Sequence, residues 1–133
     1  MSEWQQFVLH LKQPEYVHVL LNPIPVYGLA AGVIALLMAL FTQSRAAKLI
    51  GLGLVFMAGA SVWPVIHNGQ QGYDRVYAMS NEDAQKWLDV HMERAERWEY
   101  LFYATAMFAA ASIAVLWKFA KAGTPLSAVT LAL

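Results

Sequence analysis

The stretch Tyr16–Phe41, YVHVLLNPIPVYGLAAGVIALLMALF, contains no Asp, Glu, Lys or Arg. At about 1.5 Å per helical residue it is long enough to cross the roughly 30 Å of hydrocarbon in a bilayer. A helix on the surface of a soluble protein needs a polar face, and this one has none. It reads as a first membrane span over 17–41. Asn22-Pro23-Ile24-Pro25 interrupts it near its start, because neither proline donates to the helical ladder and each disfavours helical geometry in the residue before it. The regular helix is expected from near Pro25. Gly28 and Gly32 stand four residues apart, a spacing that either admits a second backbone closely or reflects glycine tolerated in a membrane helix.

Beyond this stretch, Thr42–Ala47 is a short polar turn, and a second span follows over 46–67 as an antiparallel neighbour. Its small residues (Gly51, Gly53, Ala58, Gly59, Ala60) suit close helix packing. Pro64 is expected to bend its end, and Asn68-Gly69 reads as a left-handed C-cap that places the membrane exit near His67. Residues 68–98 hold most of the charge and form the extramembrane segment. Ser80 with Asp83 resembles a helix start, so a helix is expected from about 81. No Gly or Pro recurs before Gly123, so it is expected to continue to Lys121, with a third span over 100–120. Glu82 with Lys86 and Glu93 with Arg97 are i, i+4 pairs that support its exposed part. Gly123–Leu133 is apolar but too short to cross, and either lies at the interface or begins a fourth helix.

Upstream, Ser2 and Gln5 have the spacing of a capping box, and Trp4, Phe7, Val8 and Leu11 share one helical face. Residues 2–12 read as an interfacial helix with Trp4 at headgroup level. The expected fold is therefore all-α: a polytopic membrane helix bundle with three transmembrane helices, an N-terminal interfacial helix and a partial fourth helix, in a single membrane domain over 1–133.

Composition agrees. The chain is 59% apolar and 14% charged, against about 25% charged in soluble domains. Nine basic and nine acidic residues cancel, leaving no field to gather nucleic acid. The absence of cysteine removes disulfides, thiolate metal sites, covalently attached haem and Cys-ligated iron–sulfur clusters. Met1–Gln6 carries no Lys or Arg, unlike the start of a secretory signal. Arg45, Lys48, Lys118 and Lys121 flank span ends, so the positive-inside rule places 42–48 and 118–121 in the cytoplasm. The N-terminus and 68–98 are then expected on the outer side.

The run Tyr16-Val17-His18-Val19-Leu20-Leu21-Asn22-Pro23-Ile24-Pro25-Val26-Tyr27-Gly28 resembles the opening motif of a family of small multi-helix bacterial membrane proteins of unknown function. In that family a His precedes a proline-containing first span, and a His-bearing extramembrane helix precedes the third. The resemblance extends loosely over the three spans. It implies a four-helix protein of the bacterial inner membrane with a periplasmic outer side, and a suspicion of haem or metal binding.

Histidine placement carries what chemistry there is. His18, His67 and His91 all fall on the expected periplasmic side, while His10 points away from the apolar face of its own helix. Three neutral imidazoles could hold a transition metal with one open position, or two could ligate the iron of haem b. Asn22, Asp74 and Glu93 stand near enough in sequence to orient the rings, and Arg94 could pair with a haem propionate or a lipid phosphate. Against this, interfacial histidines commonly face water or headgroups, and no His-Glu-x-x-His spacing occurs. Trp63, Tyr73, Tyr77, Trp87, Trp98, Tyr100 and Tyr103 fit an aromatic belt better than a stacking site for a pigment or quinone. The spans lack the carboxylates and cations of transport routes, and no nucleophile stands beside a base, so no catalytic residue is assigned.

Two function classes remain. One is an accessory subunit of a larger membrane assembly, respiratory or photosynthetic, whose partners are lipids and other membrane subunits or a second copy, not nucleic acid. The other is a haem- or metal-binding redox protein using His18, His67 and His91. The first is narrowly favoured, since thin spans rich in Gly and Ala pack best against more protein.

Overall fold

The computed structural model describes residues 1–119 together with 130 and 132. Its regular structure is helical: α1 Glu3–His10, α2 Pro14–Leu21, α3 Pro23–Thr42, α4 Arg45–Met79 and α5 Glu82–Lys118. Pro14–Thr42, Arg45–Met79 and Glu82–Lys118 are each long and apolar enough to cross a membrane. The chain is thus an all-α protein of multi-pass membrane character. Of the expected partial fourth helix, only Thr130 and Ala132 are described, both helical; the rest of that expectation, with residues 120 and 121 of the third helix, lies outside the described residues.

Local chemistry explains the helix ends. The Ser2–Gln5 capping box forms in both directions, satisfying N–H groups that the first turn of α1 leaves over. Every residue of α1 is exposed, including Trp4, Phe7 and Val8, and so is Leu11 just beyond its end. Proline starts both α2 and α3, where its missing donor costs nothing. The regular helix therefore begins at Pro23, two residues before the expected Pro25. Gln43 takes φ 53°, which turns the chain within two residues, and the Ser44 hydroxyl accepts from the backbone N–H of Ala47 at 3.3 Å.

One boundary and one capping residue differ from expectation. The second helix does not end near His67 but continues to Met79. The Asn68 side chain donates to the Pro64 carbonyl at 2.7 Å within the helix, and no described glycine has positive φ. Gly69 and Gly72 serve close contacts with His18 and Glu15 instead of a cap. The start of α5 is set by Asn81, whose side chain accepts from the Ala84 N–H at 2.9 Å. The Ser80 hydroxyl is turned back to the Val76 carbonyl. At 35 and 37 residues, α4 and α5 run to more than about 50 Å, well beyond the hydrocarbon thickness.

The helices divide into two compact units, one of Met1–Pro23 with Val62–Tyr100 and one of Ile24–Ser61 with the chain from Leu101. The second unit has a core of Leu36, Leu52, Val55, Ala109 and Leu116, with Leu29, Leu49 and Ile113 packed against it. Its glycines set the helix spacing. A Cβ on Gly32 would lie 2.7 Å from Val55 Cγ2, and one on Gly59 2.6 Å from the Phe102 carbonyl oxygen. Gly28 also lies against Ala58, so the Gly28–Gly32 pair does admit the α4 backbone. The buried Thr105 and Ser112 hydroxyls donate to the carbonyls four residues earlier, which removes the cost of burying them. Arg45 Nη2 donates to the Leu116 carbonyl at 3.1 Å, satisfying an acceptor that the end of α5 leaves over.

Candidate functional site

The unit of Met1–Pro23 and Val62–Tyr100 is a seam of three helices. Glu15, His18 and Asn22 of α2, Val65, Gly69, Gly72 and Val76 of α4, and Leu88, His91, Met92 and Ala95 of α5 line one cavity. The α4 residues repeat at four, three and four positions, the spacing of one helical face. Large apolar side chains at Gly69, Gly72 and Ala95 would fill such a seam. These small residues leave a mostly apolar cleft of about 340 Å³, at the lower end of the roughly 300–1,000 Å³ range of small-molecule sites.

The glycines of α4 seat α2. A Cβ at Gly69 would lie 2.8 Å from His18 Nδ1, and one at Gly72 3.1 Å from the Glu15 backbone nitrogen. His18 uses this close approach to place Nδ1 2.7 Å from the Val65 carbonyl oxygen. A carbonyl only accepts, so Nδ1 carries the proton and donates. The neutral His18 ring therefore has its lone pair on Nε2, the tautomer that metal-binding histidines adopt when a carbonyl fixes the other nitrogen.

His91 supplies the second ring. It stacks on Trp87 with centroids 4.9 Å apart, and its centroid lies 6.2 Å from that of His18, with the planes at 86°. Burial lowers the His91 pKa below the ordinary 6.5, and His18 and Arg94 add to the effect. Two imidazoles sharing one metal ion at about 2.0–2.1 Å per bond have centroids roughly 5–6.5 Å apart, depending on the angle at the metal, and this pair falls within that span. Perpendicular planes do not oppose this, since each ring can turn about its own metal–nitrogen bond.

The surrounding charges are paired. Glu15 accepts from Arg75 at 2.7 Å; its pKa is lowered first by a backbone N–H at the start of α2 and then by Arg75. The Tyr73 hydroxyl donates to Asp89, which pushes the phenol up to about 12. Gln70 reaches Glu96 at 3.0 Å, and Glu93 pairs with Arg97 at 2.5 Å.

Of the three histidines singled out in the sequence, His18 and His91 meet at the cavity. His67 does not line it: its exposed ring stacks on Trp63 and contacts Gln71 at 3.1 Å. Among the described residues no group of three His, Asp or Glu side chains converges as a metal site. The expected orienting partners also change. The Val65 carbonyl, not Asn22, holds His18; Gln71, not Asp74, contacts His67; and Glu93 is engaged by Arg97. Sequence reading missed Gly69, Gly72 and Met92 as parts of the site, although the spacing of Val65, Gly69, Gly72 and Val76 was there to be read.

Compared with known proteins, the chain matches no protein family, no curated protein and no solved structure. Its functional reading rests on the geometry of the cavity.

Proposed function

We propose that this chain is a membrane-anchored binding protein whose ligand site is the cleft shared by α2, α4 and α5, with His18 and His91 as the groups that hold a transition metal. The observation that carries this is the approach of two imidazoles in an apolar cleft, one with its Nδ1 fixed by the Val65 carbonyl. The cleft of about 340 Å³ favours an ion or small ligand over the larger macrocycle of haem b, although the separation of the two rings would also suit an iron bound between axial imidazoles. By the positive-inside rule, Arg45, Lys48 and Lys118 face the cytoplasm and the site opens on the outer side; in a bacterium that is the periplasmic face of the inner membrane. Elemental analysis and oxidised and reduced absorption spectra of the membrane-extracted protein test the reading. Stoichiometric metal lost in His91→Phe supports it, a Soret band replaces the ion with haem, and a colourless, metal-free protein that takes up no added metal refutes it.

A second reading, an accessory subunit of a larger assembly, is supported by Gly53. A Cβ there would meet nothing within 4 Å, whereas Gly28, Gly32, Gly51 and Gly59 all lie against neighbouring atoms. Disulfide trapping of Gly53→Cys in a chain otherwise free of cysteine tests whether another helix packs on that face.

A further inference from the structure

We infer that the ion held between His18 and His91 is cuprous copper, with the thioether of Met92 as its third ligand. This deepens the metal-binding reading and rests on it.

The argument begins with charge. A dication in a mostly apolar cleft is held best with anionic ligands or three or more imidazoles, because burying uncompensated charge is costly. The cavity offers one carboxylate, Glu15, and it is bound to Arg75 at 2.7 Å. No thiolate exists in the chain. A structural zinc ion is almost always tetrahedral, with four ligands, and among the described residues no trio of His, Asp or Glu converges to provide most of them. The nitrogen and sulfur ligands lining the cavity are two imidazoles and one thioether, groups that bind a metal without adding negative charge.

That donor set matches a soft monocation. Thioether ligands select Cu(I) among the first-row metals, and imidazole binds it well. The other expected parts of a metal site are also present. The Val65 carbonyl orients His18, Trp87 braces His91 through a stacked contact, and the partly open cleft gives the ion a way in. Met92 directly follows His91 on α5, so both donors are carried by the same turn of helix. Its flexible thioether can adapt to an ion positioned by the two stiffer rings.

The test uses the full chain in detergent, kept anaerobic and reduced, with Cu(I) competed against a chromogenic cuprous chelator. Zn(II), Co(II) and haem are titrated separately. The expected result is one Cu(I) per chain, bound more tightly than Zn(II) or Co(II). It should be abolished in His91→Phe, which keeps a ring against Trp87, and weakened about tenfold or more in Met92→Leu. Met92 is half-buried, and Leu conserves its volume, so that variant should fold; circular dichroism checks both variants. Copper binding indifferent to Met92→Leu would overturn the thioether assignment. Preferential His91-dependent binding of Zn(II), Co(II) or haem would overturn copper while leaving the His18–His91 site standing. Failure to bind any of the four would overturn both.

Discussion

The two compact units use the same residue for different ends. In the unit of Ile24–Ser61 and the chain from Leu101, Gly32, Gly51 and Gly59 bring helix backbones together over a core of Leu, Val and Ala. The unit of Met1–Pro23 and Val62–Tyr100 sets Gly69 and Gly72 against His18 and Glu15, and its seam stays open as a cleft. Glycine at a helix contact is therefore not one signal. What matters is whether the facing residue is an apolar side chain that completes a core or a polar one that needs a particular position.

Substitutions that add a side chain should separate these roles. Gly59→Leu is expected to have the largest effect, because even its Cβ would be 2.6 Å from the Phe102 carbonyl oxygen. A loss of about 3 kcal/mol is expected in denaturant titrations in detergent micelles, and full retention of stability would remove the packing role. Gly69→Ala should instead act locally: its methyl group would displace His18 and weaken the bond to Val65, worth about 1 kcal/mol net. Nitrogen NMR of the imidazole should then show loss of the single Nδ1–H tautomer, while Gly59→Leu leaves that signal in place. Gly53→Ala, with open space around it, should gain up to about 1 kcal/mol through helix propensity; destabilisation would mean the position is already in use.

The smallest effect concerns acid. The Glu15 pKa is lowered in the folded state, so its contribution to stability is complete above the ordinary 4.5 and lost as pH falls through the lowered value. A carboxyl NMR titration should show this, and Arg75→Met should restore only part of the shift, because the backbone N–H remains. Full restoration would make Arg75 the sole cause.

The order of the helices and the apolar extent of their spans were legible in the sequence because uncharged runs and proline positions constrain them directly. The capping box of α1 and the Gly28–Gly32 contact were legible for the same reason: they are local patterns with a local outcome. The end of the second helix was not. Asn68-Gly69 has the composition of a cap, but its fate depended on α2, which lies distant in sequence and needed Gly69 as a seat for His18. The pairing of His18 with His91 rather than with His67 was hidden similarly. His67 and His91 each had an aromatic ring four positions earlier in the helix, and only the placement of α2 distinguished them.

The two-residue link at Gln43 and Ser44, with Gln43 in the left-handed region, bears on biogenesis. So short a connection keeps the end of α3 and the start of α4 at the same face of the bilayer. The two helices can therefore enter the bilayer as one hairpin, with Arg45 and Lys48 both close to its turn.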